Sequence, residues 1–238
     1  MKFKKFITQL NFKKAQLAVL IDPDKFNPQL IKMAELNSAS CFLVGGSKLK
    51  SDNFKSTIQK IKKITKLPVI IFPGDEKQLC KEADGIFILS LISGRNPEYL
   101  INKHIKAAPY ILKYKLPSIP VAYVMIDGGN KSTTSKVTKT NPLKNNQINL
   151  IKNTCIAGEL LGFKAIYLEA GSGAKNTIKA QTIKKIKKNI NIPLIVGGGI
   201  SSFNSAKQII KAGANLVVVG NALEKNSNLI IEIGKAFN

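Results

Sequence analysis

Eight short apolar runs, each parted from the next by a stretch of different periodicity, constrain this chain more than any other feature. They lie at 17–22, 41–47, 68–74, 85–91, 119–127, 165–171, 193–199 and 215–221. Nearly all are continuous rather than alternating, the pattern of parallel strands covered on both faces. Between them, residues 53–65, 96–115, 145–161 and 176–190 carry helical periodicity. In the last of these, Ile178, Ile183, Ile186 and Ile190 make one apolar stripe on a lysine-rich helix. Asn53 and Asn176 are predicted N-caps. Eight strands with intervening helices in 238 residues predict one α/β domain spanning 1–238, a (β/α)8 TIM barrel rather than an open doubly wound sheet. One crossover breaks the pattern. Only ten residues separate Gly74 from Gly85, room for a short helix or an irregular segment but not for a full three-turn helix.

The chain is 44% hydrophobic, enough for a full core, yet its formal net charge is +23. The lysines are spread over helix faces, as at Lys184, Lys185, Lys187 and Lys188, so a solvated lysine coat is the expected reading. A role in drawing in anionic substrates or touching a membrane surface is the alternative. Scattered lysines without aromatic–basic interleaving argue against a nucleic-acid partner. Cys41, Cys80 and Cys155 are odd in number and lack metal-ligand spacing, which supports neither a disulfide framework nor a zinc site. The basic start, Met1 to Phe6, has no long apolar stretch behind it, and no segment approaches the ~20 apolar residues of a bilayer span. A soluble, cytoplasmic protein is expected.

In a parallel barrel the reactive groups stand at the C-terminal strand ends. Those ends carry Asp22 and Asp24, Ser47, Asp127, Glu169 and three glycine clusters: Gly171-Ser172-Gly173, Gly197-Gly198-Gly199, and Gly220-Asn221. Glycine exposes backbone N–H groups with no Cβ in the way, and the last two clusters each precede a helical pattern, which suits a phosphate. Asp22, Asp24 and Ser47 form an oxygen-donor set for Mg2+; equally, Asp22 suits a helix N-cap and Asp24 a first-turn acid. Glu169 beside the glycines suits a general base of raised pKa; a structural acceptor for its own loop is the other reading. Tyr167, two residues earlier, points to the same side as Glu169. Asp127 is a ligand candidate or a turn residue. The polar loop 128–141 after the fifth strand is expected to be a mobile lid. His104, the lone histidine, lies mid-helix and is read as surface or packing, which leaves no histidine-based triad.

Five segments, in this order, resemble the geranylgeranylglyceryl phosphate synthase family: Leu20-Ile21-Asp22-Pro23-Asp24-Lys25, Val44-Gly45-Gly46-Ser47, Tyr167-Leu168-Glu169-Ala170-Gly171-Ser172-Gly173-Ala174, Val196-Gly197-Gly198-Gly199-Ile200, and Val219-Gly220-Asn221. The third is the most specific, and the resemblance spans essentially the whole chain. It implies a modified barrel whose third helix is replaced by an irregular segment. It also implies transfer of a geranylgeranyl group from its diphosphate to the 3-hydroxyl of sn-glycerol 1-phosphate, in ether lipid synthesis. By position it implies Mg2+ as cofactor at Asp22 and Ser47. Glycerol 1-phosphate would contact Tyr167, Leu168, Glu169, Ala170, Gly171, Ser172, Gly173, Gly198, Gly199, Gly220 and Asn221, with Glu169 as the base. Phe87, Ile88, Leu89, Leu91, Tyr99 and Tyr123 are candidates for the polyprenyl groove. A homo-oligomer is expected from the family's assemblies. A heptaprenyl donor, or another phosphate-binding barrel isomerase or cyclase, is the rival reading.

Overall fold

The computed structural model describes residues 2–10 and 14–238. Eight parallel strands close into a barrel in sequential order: β1 (Gln16–Ile21), β2 (Ala39–Val44), β3 (Val69–Ile71), β4 (Gly85–Leu91), β5 (Ser118–Met125), β6 (Ala165–Glu169), β7 (Leu194–Gly197) and β8 (Leu216–Val219). The eight apolar runs are these strands, each within a few residues of the expected bounds. Helices α2 (Pro28–Leu36), α3 (Phe54–Ile64), α4 (Lys103–Lys113), α6 (Ile148–Leu160), α7 (Ala180–Lys187) and α8 (Phe203–Lys211) cover the outside, and α9 (Asn221–Lys225) and α10 (Leu229–Gly234) follow β8. A π-helical turn, Glu98–Asn102, leads into α4.

Why the runs are continuous is visible in the packing. Successive side chains on a strand point to opposite faces, and here both faces are apolar. On β5 and β6, Ala122, Val124, Ile166 and Leu168 pack against the helices, whereas Val121, Tyr123, Met125, Ala165 and Tyr167 pack into the barrel interior. Each run therefore encodes two cores at once. The stripe of Ile178, Ile183, Ile186 and Ile190 is buried, and Lys184, Lys185 and Lys188 on the same segment are exposed, as the lysine-coat reading requires, whereas Lys187 is half-buried and donates to the Ile192 carbonyl at 3.4 Å.

Three local features depart from the sequence expectations. α7 begins at Ala180 with Lys179 at its N-cap, and the Asn176 N–H donates to the Gly128 carbonyl, tying the loops after β5 and β6 together. Asn53 does occupy the N-cap position of α3 but makes no capping bond; its amide donates to the Pro23 carbonyl at 2.7 Å. A helix that the sequence reading did not anticipate, α1 (Lys2–Leu10), buries Phe3, Phe6 and Leu10 in the interior core.

The crossover between β3 and β4 contains no helix among its described residues. In its place Gln78, 3% exposed, pins two strand ends with one side chain. Its Oε1 accepts from the Gly46 and Gly74 N–H groups at 3.2 and 3.3 Å, and its Nε2 donates to the Gly46 carbonyl at 2.7 Å. The irregular segment thus fixes the backbone beside Ser47. The loop after β5 holds α5 (Thr133–Thr138), whose Thr133, Thr134, Val137 and Thr138 line the barrel mouth.

Candidate active site

A cavity of about 820 Å3 opens at the C-terminal ends of the strands. Around it stand Asp22, Ser47, Tyr167, Glu169, Ser172, Gly173, Gly198, Gly199, Gly220 and Asn221. The sequence-predicted groups are thus brought to one rim, because each motif lies at or just beyond the C-terminal end of a parallel strand.

Glu169 closes β6 and is buried. Its Oε1 accepts from the Gly171 N–H at 2.6 Å. The Tyr167 phenol stands beside the carboxylate, both crowding the position a Cβ on Gly197 would take. Burial is the main cause of a raised Glu169 pKa; the Gly171, Tyr167 and Tyr123 contacts oppose it only in part. Tyr123 and Tyr167 face each other across the β5–β6 register, with ring centroids 5.1 Å apart in a stacked arrangement, and Phe72 leans on Tyr167 at 5.2 Å. The base candidate therefore sits on an aromatic floor that keeps it dry. Burial also holds both phenols well above their ordinary pKa, so they stay protonated and can donate.

The glycine turns are shaped for close approach. Gly198 has φ +88°, and a Cβ there would meet Glu169 Oε1 at 2.6 Å and the Gly171 nitrogen at 2.8 Å, so only glycine leaves both in place. Ser172 Oγ donates to Asn221 Oδ1 at 2.6 Å, joining the loop after β6 to the start of α9. Asn221 Nδ2 in turn donates to Glu224 Oε2 at 3.3 Å. Leu168 and Ala170 place their side chains in the helix-facing core, so at this site they can offer backbone only.

Opposite Glu169, the β1 end carries Asp22. Its Oδ1 accepts from the Asp24 N–H at 3.0 Å, capping the short turn Pro23–Lys25. The cap reading of Asp22 thus holds for one oxygen, and Oδ2 sits 4.0 Å from Lys25 Nζ. Burial raises its pKa, with Glu224 adding repulsion. Asp24 turns elsewhere. It accepts from the Lys50 N–H at 2.7 Å and from Ser51, which ties the loop after β2 and lowers its pKa. Lys25 Nζ bonds Glu224 Oε2 at 2.7 Å, a link between residues 199 positions apart that no local pattern marks. Among the described residues no group of three or more His, Cys, Asp or Glu side chains converges as a metal cage. One carboxylate and one hydroxyl, Asp22 and Ser47, do fit Mg2+, which takes one or two carboxylates and shares its remaining positions with waters and substrate phosphates.

Other candidates scatter. Asp127 is exposed and accepts from the Gly129 N–H at 2.8 Å, a turn residue. His104 is half-buried with Nε2 unpartnered, and burial lowers its pKa. Leu89, Leu91, Tyr99 and Tyr123 line the cavity, but Phe87 belongs to the interior core and Ile88 lines a small separate pocket under the irregular segment. The three cysteines are buried free thiols, and burial pushes Cys155 up to about 12.

A family model described as the PcrB family matches residues 10–236. The chain belongs to the PcrB family. This PcrB-family chain is 48% identical over 216 residues to the geranylgeranylglyceryl phosphate synthase of Zunongwangia profunda, covering 89% of this chain and 92% of the relative. With the geranylgeranylglyceryl phosphate synthase of Pyrococcus horikoshii it shares 35% over 233 residues, 96% of this chain and 91% of that one. Its fold matches a crystal structure of (S)-3-O-geranylgeranylglyceryl phosphate synthase from Thermoplasma acidophilum in complex with sn-glycerol-1-phosphate. That match has a TM-score of 0.91 at 29% identity and covers 98% and 97% of the two chains. No helix among the described residues is long and apolar enough to cross a membrane.

Proposed function

We propose that this enzyme transfers a geranylgeranyl group from geranylgeranyl diphosphate to the 3-hydroxyl of sn-glycerol 1-phosphate, with Mg2+ as cofactor. The observation that carries the reading is the placement of Glu169. A dry carboxylate lies against glycine turns that can seat a phosphate, and faces Asp22 and Ser47 across a cavity with an apolar wall. The named relatives and the glycerol-phosphate complex of the Thermoplasma acidophilum protein support the same substrate class.

In this reading the backbone around Gly198, Gly199, Gly220 and Asn221 holds the phosphate and so fixes the glycerol hydroxyl, which supplies most of the orientation the reaction needs. Glu169 takes the hydroxyl proton as the oxygen forms its bond to C1 of the prenyl chain. The C1–oxygen bond to diphosphate breaks in the same transfer, and diphosphate leaves with the electron pair. Asp22 and Ser47 would hold Mg2+, whose chemistry there would be to neutralise charge on the diphosphate leaving group. Lys25, already paired to Glu224 beside Asp22, adds a cation at that end. Leu89, Leu91 and Tyr99 offer the prenyl chain an apolar surface.

Purified protein given labelled glycerol 1-phosphate, MgCl2 and geranylgeranyl or heptaprenyl diphosphate tests the reading directly. The expected product is geranylgeranylglyceryl phosphate, formed faster than its heptaprenyl counterpart; no ether product with either donor would refute it. Asp22→Asn keeps the oxygen that caps Asp24 and removes the charge. It is expected to raise the Mg2+ concentration for half-maximal rate by about tenfold, the loss of one charge-assisted ligand contact. An unchanged Mg2+ titration would assign the ion to other residues. Homo-oligomer formation belongs to the same reading, and light scattering of the purified chain checks it.

A further inference from the structure

Glu224, on the first turn of α9, lines the cavity but has no part in the chemistry described so far. One of its oxygens nevertheless joins two elements of the rim. Its Oε2 accepts from Lys25 Nζ at 2.7 Å and from Asn221 Nδ2 at 3.3 Å. Asn221 Oδ1 accepts in turn from Ser172 Oγ at 2.6 Å. A chain of three hydrogen bonds thus runs from the turn after β1, through α9, to the glycine loop after β6.

The fold puts these groups within reach of one another. β1 and β8 pair in parallel, from Gln16 with Leu216 to Val19 with Val219, so the segments that leave them start side by side. Lys25 ends the short turn Pro23–Lys25 after β1. Glu224 follows Asn221 by three residues on α9, the spacing that brings two side chains together on one helix face. The Glu224 side chain is 14% exposed and that of Lys25 54%, so the carboxylate is sheltered while its cation reaches solvent.

We propose that Glu224 is a positioning residue for the glycerol 1-phosphate seat: its Oε2 fixes which end of the Asn221 amide faces Ser172, and so locks the glycine loop after β6 onto the start of α9. This rests on the function proposed above and names a part of that same site. An ionised carboxylate only accepts hydrogen bonds, so the amide turns Nδ2 to Glu224 and Oδ1 to Ser172. The Ser172 proton is then committed to Asn221, and the two loops that frame the phosphate are held at one separation. Lys25 only donates, and it neutralises the carboxylate. The seat thereby gains an oriented amide without an uncompensated negative charge beside an anion. Without the Glu224 oxygen the amide is free to invert, Ser172 loses its acceptor, and each binding event must first order the loops.

Glu224→Leu deletes the acceptor at similar size. Glu224→Gln keeps one, because Lys25, with N–H donors only, holds the glutamine oxygen in the place of Oε2. Both changes remove the same charge, so the difference between them isolates the acceptor. Affinity for glycerol 1-phosphate, by calorimetry without divalent ions or prenyl donor, is expected to be roughly threefold to tenfold weaker in Glu224→Leu than in Glu224→Gln, the effect of one net hydrogen bond. KM for glycerol 1-phosphate should follow the affinity, while kcat at saturation of both substrates should agree within about twofold. Ser172→Ala should weaken binding in the Glu224→Gln background and add nothing in the Glu224→Leu background, because coupled neighbours are non-additive. Glu224→Ala takes the place of Glu224→Leu if that variant folds poorly. Equal affinities in the two Glu224 variants, a loss confined to kcat, or full additivity of Ser172→Ala with Glu224→Leu would each overturn the assignment. Wild-type protein that forms no ether product would overturn the proposed function and this role with it, whereas an active wild type beside equal affinities in the two variants overturns this role alone.

Discussion

Glu169→Gln is expected to lower kcat by about a thousandfold while leaving glycerol 1-phosphate binding intact and making the protein more heat-stable. The loss follows from removing the proton acceptor, a contribution of about 10^2 to 10^4 in enzymes that depend on one. Binding persists because the glutamine carbonyl can still accept from the Gly171 N–H, the one close bond the carboxylate makes to its loop. The gain in stability follows from the sign of the pKa shift. Burial raises the Glu169 pKa above its ordinary 4.5, so the folded state holds the proton more tightly than the unfolded state. Below about pH 4.5 both states are protonated and folding bears no penalty. As pH rises from there through the folded pKa the burial penalty grows, and above it the penalty is fully present. At neutral pH glutamine removes it. In a chain of this size each kcal/mol recovered raises Tm by about 2–4 °C. Paired turnover and melting measurements at pH 7.5 check both halves, and a variant with near-normal turnover would remove Glu169 as the base. The same shift places the acidic limb of the wild-type kcat/KM profile above the ordinary glutamate range.

Strand positions and the rim were legible in the sequence because each depends on local pattern. A continuous apolar run marks a doubly covered strand, and an acid or glycine at its end marks the catalytic face. Glu169, Gly198 and Asp22 could be placed that way with nothing else known. What the pattern could not reveal is pairing between distant loops. Lys25 with Glu224, Thr134 with Ser47, and Gln78 with Gly46 and Gly74 each join segments whose sequences carry no mark of one another. Asp24 shows the converse. Its place in Asp22-Pro23-Asp24 reads as a second metal donor, but the backbone of Lys50 and the hydroxyl of Ser51 claim its carboxylate. The groove candidates on β4 were divided by the pleat: Leu89 and Leu91 reach the mouth, Phe87 points inward lower in the barrel, and Ile88 points out. Phe3, Phe6 and Leu10 follow helical spacing, and the lysines between them keep the outer face of α1 in solvent while the stripe is buried.

That stripe supports the second large effect. Phe3→Ala and Phe6→Ala are each expected to lower Tm by about 10 °C with kcat of the folded enzyme unchanged at 25 °C. The core that receives Phe3, Phe6 and Leu10 includes three small strand residues, Ala18, Cys41 and Ala165. At β4 even a methyl group is missing, and a Cβ on Gly85 would collide with the Phe3 ring. A barrel normally fills its interior with layers of its own strand side chains; here the strands leave room and α1 supplies the rings. Removing a buried phenyl costs about 3–5 kcal/mol, because the transfer free energy is lost and the closed sheet cannot collapse into the hole. Against a total stability of about 5–15 kcal/mol that is a large share. Activity should survive because Gly85 opens β4 and so marks the N-terminal end of the barrel, the opposite end from Glu169, which closes β6. Melting temperatures of the two variants, with kcat measured well below the transition, separate stability from chemistry. A shift under about 2 °C would mean that α1 does not fill the barrel in solution, and a fall in kcat at 25 °C would mean that it shapes the mouth as well.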